Sequence, residues 1–166
     1  PLLSVNTSSI WTQLGSDIDG ETEGDISGRY ISLSADGNVI AIAGTNNDDN
    51  GENSGHVRIY QLENDAWKQL GNDIDGEAEY NYFGRSVNLS NDGSIVAIGA
   101  PYNDGNGTYS GHVRIYQLEN DDWKQLGNDI DGEAEYDYSG YSVSLSDDGN
   151  VVAIAGPVND GNGQGS

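Results

Sequence analysis

The sequence has no cysteine, no methionine, three prolines, and only six Lys and Arg against 28 Asp and Glu over 166 residues. Without cysteine there is no disulfide framework, no thiolate nucleophile and no cysteine-ligated zinc or iron–sulfur site. The formal net charge of −22 excludes the cationic surface that nucleic acid and anionic membranes demand. Long apolar runs are also missing. Segments 95–100 and 151–155 fall far short of the roughly 20 residues of a membrane span, so no membrane insertion is expected. Hydrophobic residues make up 34%, low enough that composition alone permits disorder. The length suits one domain or a piece of a larger one. Because the chain opens on Pro1, a processed chain or an excerpt of a longer precursor is expected.

What rejects disorder is a repeat. Trp11, Trp67 and Trp123 are spaced by 56 residues, and their surroundings recur in register without a gap. Gly15, Gly71 and Gly127 follow each Trp by four; Asp-Ile-Asp-Gly-Glu recurs at 17–21, 73–77 and 129–133; Gly-His-Val-Arg-Ile-Tyr-Gln-Leu-Glu-Asn occurs at 55–64 and 111–120. Such a period signals a solenoid, propeller or array. Inside the middle copy, 84–90 alternates apolar Val87 and Leu89 with polar neighbours, and the Asp92-Gly93 turn follows. These predict a half-buried strand and a tight hairpin. Residues 95–100 form a continuous apolar run, suited to a strand buried on both faces. A Gly- and Asn-rich loop leads to a third strand at 112–118, and a polar turn leads to a fourth at 123–130. Nothing reads as a helix. Four short antiparallel strands per unit is the content of one propeller blade. A single Trp per unit then belongs between neighbouring blades, with an exposed aromatic platform as the rival reading.

The middle copy holds Phe83-Gly84 and, after the hairpin, Gly99-Ala100-Pro101. The pairing resembles the FG-GAP repeat of integrin α-subunit heads and of many secreted and surface β-propellers. Copy one departs from it, with Ser27-Gly28 and Ala43-Gly44-Thr45; copy three has Ser139-Gly140 and Ala155-Gly156-Pro157. The resemblance implies a propeller with an adhesive or scaffolding role outside the cytoplasm. In cation-binding members an Asp-rich loop between the first two strands wraps calcium. Here that place holds only the short turns 34–38, 90–94 and 146–150, too tight to offer the roughly six to eight oxygens that calcium takes. That site is not carried over.

The expected fold is therefore all-β: a β-propeller of four-stranded antiparallel blades with three blades' worth per chain. Residues 1–26 supply strands three and four of a split blade, expected at 2–7 and 11–18, 27–82 and 83–138 one blade each, and 139–166 strands one and two of a split blade. Propellers close with about four to eight blades. Association is thus expected, either as a dimer completing a six-bladed ring or with neighbouring repeats of a longer chain.

The polar candidates are acidic. Asp17, Asp19 and Glu21 alternate along the chain, as do Asp73, Asp75 and Glu77, and Asp129, Asp131 and Glu133. On an extended segment these carboxylates share one face. Two readings stand: a calcium site at each blade-to-blade connection, or a solvated acidic loop whose Asp residues accept backbone hydrogen bonds. Asn103, Asp104 and Asn106, echoed at Asn159, Asp160 and Asn162, could ligate calcium, hydrogen-bond a sugar, or simply tolerate left-handed backbone. His56 and His112, at equivalent places, read as structural. No Ser/His/Asp set or three-His cluster assembles, and near-identical repeats lack the asymmetry of an active site, so an enzyme is not expected. Asn6, Asn88 and Asn106 open glycosylation triplets, relevant only to a eukaryotic secreted chain. The function expected is a structural or adhesive surface propeller. The alternative is a carbohydrate-binding propeller with one weak site per blade, its partner a glycan or surface protein.

Overall fold

The computed structural model describes residues 3–5 and 11–159, and every regular element in them is a β-strand. Strands β1 (Leu3–Val5) and β2 (Trp11–Gln13) pair antiparallel. A full sheet follows, in the order β3 (Ser27–Leu33), β4 (Val39–Gly44), β5 (His56–Glu63), β6 (Ala66–Gln69), with β7 (Ile74–Asp75) added beside the start of β5. The same sheet recurs as β8 (Ser86–Leu89), β9 (Ile95–Ala100), β10 (His112–Glu119) and β11 (Asp122–Gln125), with β12 (Ile130–Asp131) on β10. The hairpin β13 (Ser142–Leu145) and β14 (Val152–Ala155) is the last element among the described residues.

The strands stand where the apolar pattern puts them, with three corrections. The expected fourth strand, 123–130, is two elements. β11 stops at Gln125, the chain turns through Gly127 at φ +71°, and β12 returns to pair Ile130 with Val113. The expected strand 11–18 likewise ends at Gln13. The expected start of the first strand at Gly84 moves to Ser86, because Arg85 N–H closes a turn on the Tyr82 carbonyl at 3.1 Å. Of the expected strand 2–7, Leu3–Val5 is described; Asn6 and its glycosylation triplet, like Asp160 and Asn162, lie outside the described residues.

Both faces of each sheet are apolar, but they differ in size. Cross-strand partners put Ile31, Leu33, Ile40, Ile42 and Tyr60 on one face of the first sheet, and Ala41, Ala43, Val57 and Ile59 on the other. In the second sheet the large face is Val87, Leu89, Val96, Ile98 and Tyr116. This large face packs into the small face of the first sheet, burying Ala41, Ala43, Val57, Ile59, Val96 and Ile98 almost completely. Interlocking of bulky and small surfaces at close-packed density makes these sheets one core. β13 then brings Val143 and Leu145 toward β8 and β9 in the same sense.

Side chains also stitch the seams. Ser32 Oγ accepts the Leu89 N–H at 2.9 Å, and Asn88 Oδ1 accepts the Leu145 N–H at 2.6 Å. These bonds satisfy the open edges of β8 and β13, which would otherwise present unpaired donors. Trp67 Nε1 donates to the Leu14 carbonyl at 3.0 Å, and Trp123 Nε1 to that of Leu70 at 2.8 Å. The expectation of Trp between sheets thus holds for Trp67 and Trp123, while Trp11 is 60% exposed. Each ring lies against the glycine four residues after the preceding Trp, where a Cβ on Gly15 or Gly71 would meet it at 2.7 or 2.8 Å.

Phe83 is fully buried, and Gly84 follows at φ +89°, where a Cβ would strike Ala43 Cβ at 2.8 Å. Gly28, its counterpart in the first sheet, has φ +85° and open space around it. Left-handed backbone costs a side chain about 1–2 kcal/mol, and overpacking adds about 1–3 kcal/mol. Gly84→Ala should therefore lose about 3 kcal/mol in urea unfolding and Gly28→Ala only about 1 kcal/mol. Equal losses would show that Gly84 serves backbone geometry alone.

Candidate functional site

Strand period decides which polar groups meet. His56 and Arg58 open β5 at alternate positions and so share a face, as do His112 and Arg114 on β10. β12 lies beside the start of β10, bringing Asp129 to the same place, and the preceding repeat contributes Glu77. Arg114 Nε and Nη2 donate to Asp129 Oδ1 and Oδ2 at 2.8 and 2.7 Å, a bidentate pair, and Nη2 also donates to Glu77. Asn103 Nδ2 donates to Glu77 Oε1 at 2.6 Å. His112 is 1% exposed, with Nδ1 3.7 Å from Asp129 and 3.9 Å from Glu77. The first sheet repeats the plan: Arg58 lies 3.3 Å from Glu21 and donates to the Asp19 carbonyl at 3.0 Å, and His56 Nδ1 stands 3.7 Å from Glu21 and 3.9 Å from Asp73.

This arrangement divides the alternating acidic runs. Asp73 joins Glu21 in the first cluster, whereas Glu77 crosses to the second, so the expectation of one shared carboxylate face per run fails. The chain turns between them at Gly76, whose N–H is drawn to the Gly55 carbonyl at 2.7 Å. Asp17 and Asp73 accept from Gln13 and Gln69, four residues before them in each repeat. Asp75 is half-buried, and burial followed by the charge of Asp73 pushes its carboxyl up. Asp131 and Glu133 are exposed and enter neither cluster.

The clusters could hold a cation by proximity: Glu21, Asp49, His56 and Asp73 bring donor atoms within 4.8 Å of one another, as do Glu77, His112 and Asp129. The donor set is a poor fit for calcium. It includes an imidazole nitrogen, and a guanidinium already neutralises the carboxylates, whereas calcium takes about six to eight oxygens. The second cluster lacks Asp49, whose counterpart is Gly105. Chemically the clusters are ion-pair clasps between successive repeats.

The Asn-rich loop consumes its own polar atoms. Asn103 Oδ1 accepts the Gly105 N–H at 2.7 Å, Asp104 Oδ1 accepts that of Tyr109 at 2.7 Å, and Asn106 Nδ2 donates to the Gly132 carbonyl at 2.8 Å. Asn159 Nδ2 faces Asp137 at 3.4 Å. The Asp side chains of the hairpin turns are likewise spent within their own turns: Asp92 accepts from Ser90 Oγ at 2.7 Å and from the Ser94 backbone at 3.0 Å, while the Ala35 and Asn91 N–H groups donate to the next turn's carbonyls at Asn91 and Asp147, each at 2.9 Å. The equivalent contacts hold the Asp148 carboxyl at about 2. Sequence reasoning missed the arginines of the clasps, although His-x-Arg at strand period, repeated 56 residues on, is a legible signal.

Residues 74–116 match the family model of the FG-GAP repeat. The matched segment, about a quarter of the chain, is similar to the FG-GAP repeat. It spans the Phe83-Gly84 turn, the hairpin β8–β9 and the start of β10, and so includes Glu77, Asn103, His112 and Arg114. No curated protein matches the chain. Among the described residues no helix is long and apolar enough to cross a membrane.

The clasp has a pH signature. The Arg114 hydrogen bonds, working against burial, hold the Asp129 carboxyl at about 2. Burial would raise Glu77, but Arg114 and Asn103 outweigh it and leave that carboxyl below its ordinary value. A carboxylate depressed in the folded state stabilises it above the unfolded value and loses that contribution as pH falls through the folded one. Stability should therefore drop between about pH 4 and pH 2. Arg114→Gln should cost about 1–3 kcal/mol at pH 7, since it removes hydrogen bonds to charged groups, and should flatten that acid limb in urea titrations. His112, lowered by burial and then by Arg114, adds a shallower loss below its ordinary 6.5, where the unfolded chain binds the proton more readily. An Arg114→Gln variant with an unaltered acid limb would remove the clasp.

Proposed function

We propose that the chain is a β-propeller repeat module, extracellular or on a cell surface, whose role is structural or adhesive and not enzymatic. On this reading 27–82 and 83–138 are whole blades, and β13–β14 is the inner half of another. Support comes from the graded faces. Leu33, on the large face of the first sheet, is 50% exposed, while its counterpart Leu89 is 6% exposed because the small face of the first sheet covers it. Ile31 is 55% exposed on the same open face, and Val151, on the small side of the last hairpin, is 66% exposed. The two open faces are of the complementary kinds that meet in the interior. The occupant proposed is a further copy of this repeat, with third and fourth strands added beside β14.

The FG-GAP match at 74–116 supports the extracellular setting, where salt shortens the reach of repulsion in a chain of net charge −22. The clasps, near-identical and placed by repeat symmetry, suit a scaffold; an active site needs an unmatched set. Light scattering tests the assembly. Two copies completing a six-bladed ring would give twice the chain mass of 17.6 kDa, and Leu33→Glu, placing a charge on the open large face, should return the chain to 17.6 kDa. A wild-type mass of 17.6 kDa at micromolar concentration would remove self-association.

A further inference from the structure

The chain carries four arginines among its six cations. Arg58 and Arg114 are spent on the clasps. Arg29 and Arg85, at equivalent repeat positions, form no ion pair with a described residue, and both line a cleft of about 510 Å³. Tyr141, the third residue of that repeat series, lines it as well. With 28 carboxylates in the sequence, none of the residues lining this cleft is Asp or Glu. Glu52 accepts from the hydroxyl of Tyr80 at the wall, and the acidic residues Glu23, Asp25, Asp48 and Asp49 line a neighbouring cleft beyond Asn46.

Apart from Thr45 and Asn46 the rest of the wall is tyrosine, with Tyr138 packed behind it. Tyr82 meets Tyr102 edge-on at 5.3 Å; Tyr102 meets Tyr109 at 5.7 Å and Tyr138 at 5.6 Å; Tyr109 stacks on Tyr138 at 5.8 Å with 27° between the rings. Tyr109 and Tyr141 are each 38% exposed, so ring surface faces solvent. Tyr82, Tyr109 and Tyr138 have φ between 51° and 53°, where a bulky side chain is disfavoured. The first copy places Ile26 and Asn53 at the corresponding left-handed positions, so the fold's backbone demand does not itself call for tyrosine. Arg85 is gripped between two rings, 4.7 Å from Tyr30 and 3.9 Å from Tyr141. The stacking fixes the guanidinium plane and leaves its N–H edge for an anion.

We propose that this cleft binds a short anionic saccharide, with Arg29 and Arg85 receiving its carboxylate or sulfate and the tyrosine rings receiving its sugar faces. The chemistry is that of an open site with aromatic walls and a few convergent polar groups. Stiff sugar rings lose less freedom on binding than an acidic peptide of equal charge. Among the described residues the site occurs once, since the first-copy counterparts of Tyr102 and Tyr109 are Asn46 and Asn53, and it does not depend on ring closure.

Calorimetry on the whole chain tests this with four probes: a uronic acid trisaccharide, its sulfated neutral-sugar counterpart, the uncharged trisaccharide and a glutamate hexapeptide. At least one anionic sugar should bind roughly tenfold more tightly than the uncharged one, and the two anionic arms identify carboxylate or sulfate. The double variant Arg29→Gln/Arg85→Gln should erase that tenfold preference, and Tyr109→Ala should weaken charged and uncharged sugars alike. Arg85→Lys, which keeps the charge between the rings but not the fork, should bind at least severalfold more weakly while its melting point stays at the wild-type value. The proposal is overturned if neither anionic sugar binds at millimolar concentration, if the uncharged sugar or the peptide binds as tightly, or if Arg85→Lys binds undiminished. The mass in solution does not bear on it, so its failure and that of the assembly are separable.

Discussion

The two full sheets each have two apolar faces, and among the described residues there is no helix to cover either. That constraint governs the rest. A four-stranded sheet with both faces greasy has to be covered on both sides; here the small face of the first sheet covers the large face of the second, and β13 comes against β8 and β9 in turn. Grading the faces makes the stack unambiguous: Val, Ile, Leu and Tyr project from one side, Ala and Val with one Ile from the other, and bulky side chains fill the shallow floor of the neighbour. A stack of equal faces would leave voids or clashes, and interiors at crystal-like density tolerate neither.

The polar features at the seams follow from the same stacking. Because consecutive sheets sit close, side chains of one reach the backbone of the next, as Ser32 does to Leu89 and Trp123 to Leu70. Close approach also explains the glycines of the repeat unit. Gly71 lies under a tryptophan ring, Gly84 against Ala43, and Gly99 against the carbonyl of Gly140. In each case a methyl group would hold the sheets apart. The conserved-looking spacing within the chain is a record of where two surfaces touch.

Charge is handled at these seams too. A chain this acidic gains from placing its few arginines where they neutralise two carboxylates at once, and Arg114 does so between Asp129 and Glu77, which belong to successive repeats. Isolated exposed pairs contribute little, but a bidentate, partly buried one fixes register as well as charge. The remaining pair, Arg29 and Arg85, stands apart among tyrosines, the one described region where the molecule turns a cationic, aromatic surface outward.

The sequence by itself determined the strands, the 56-residue unit, the FG-GAP resemblance and the Asp-Gly hairpins, because alternation and turn chemistry act over a few residues. It also placed Trp67 and Trp123 between sheets. It did not determine the fate of the acidic runs. Asp73 and Glu77, four residues apart, go to different clusters because the chain turns at Gly76 and because Arg58 and Arg114 approach from separate sheets. Nor did it reveal that Tyr30, Tyr82, Tyr109 and Tyr141, spread over 111 positions, converge on two arginines. Periodicity reports which side of a strand a residue occupies; only the stacking of sheets settles what waits on the other side of the seam.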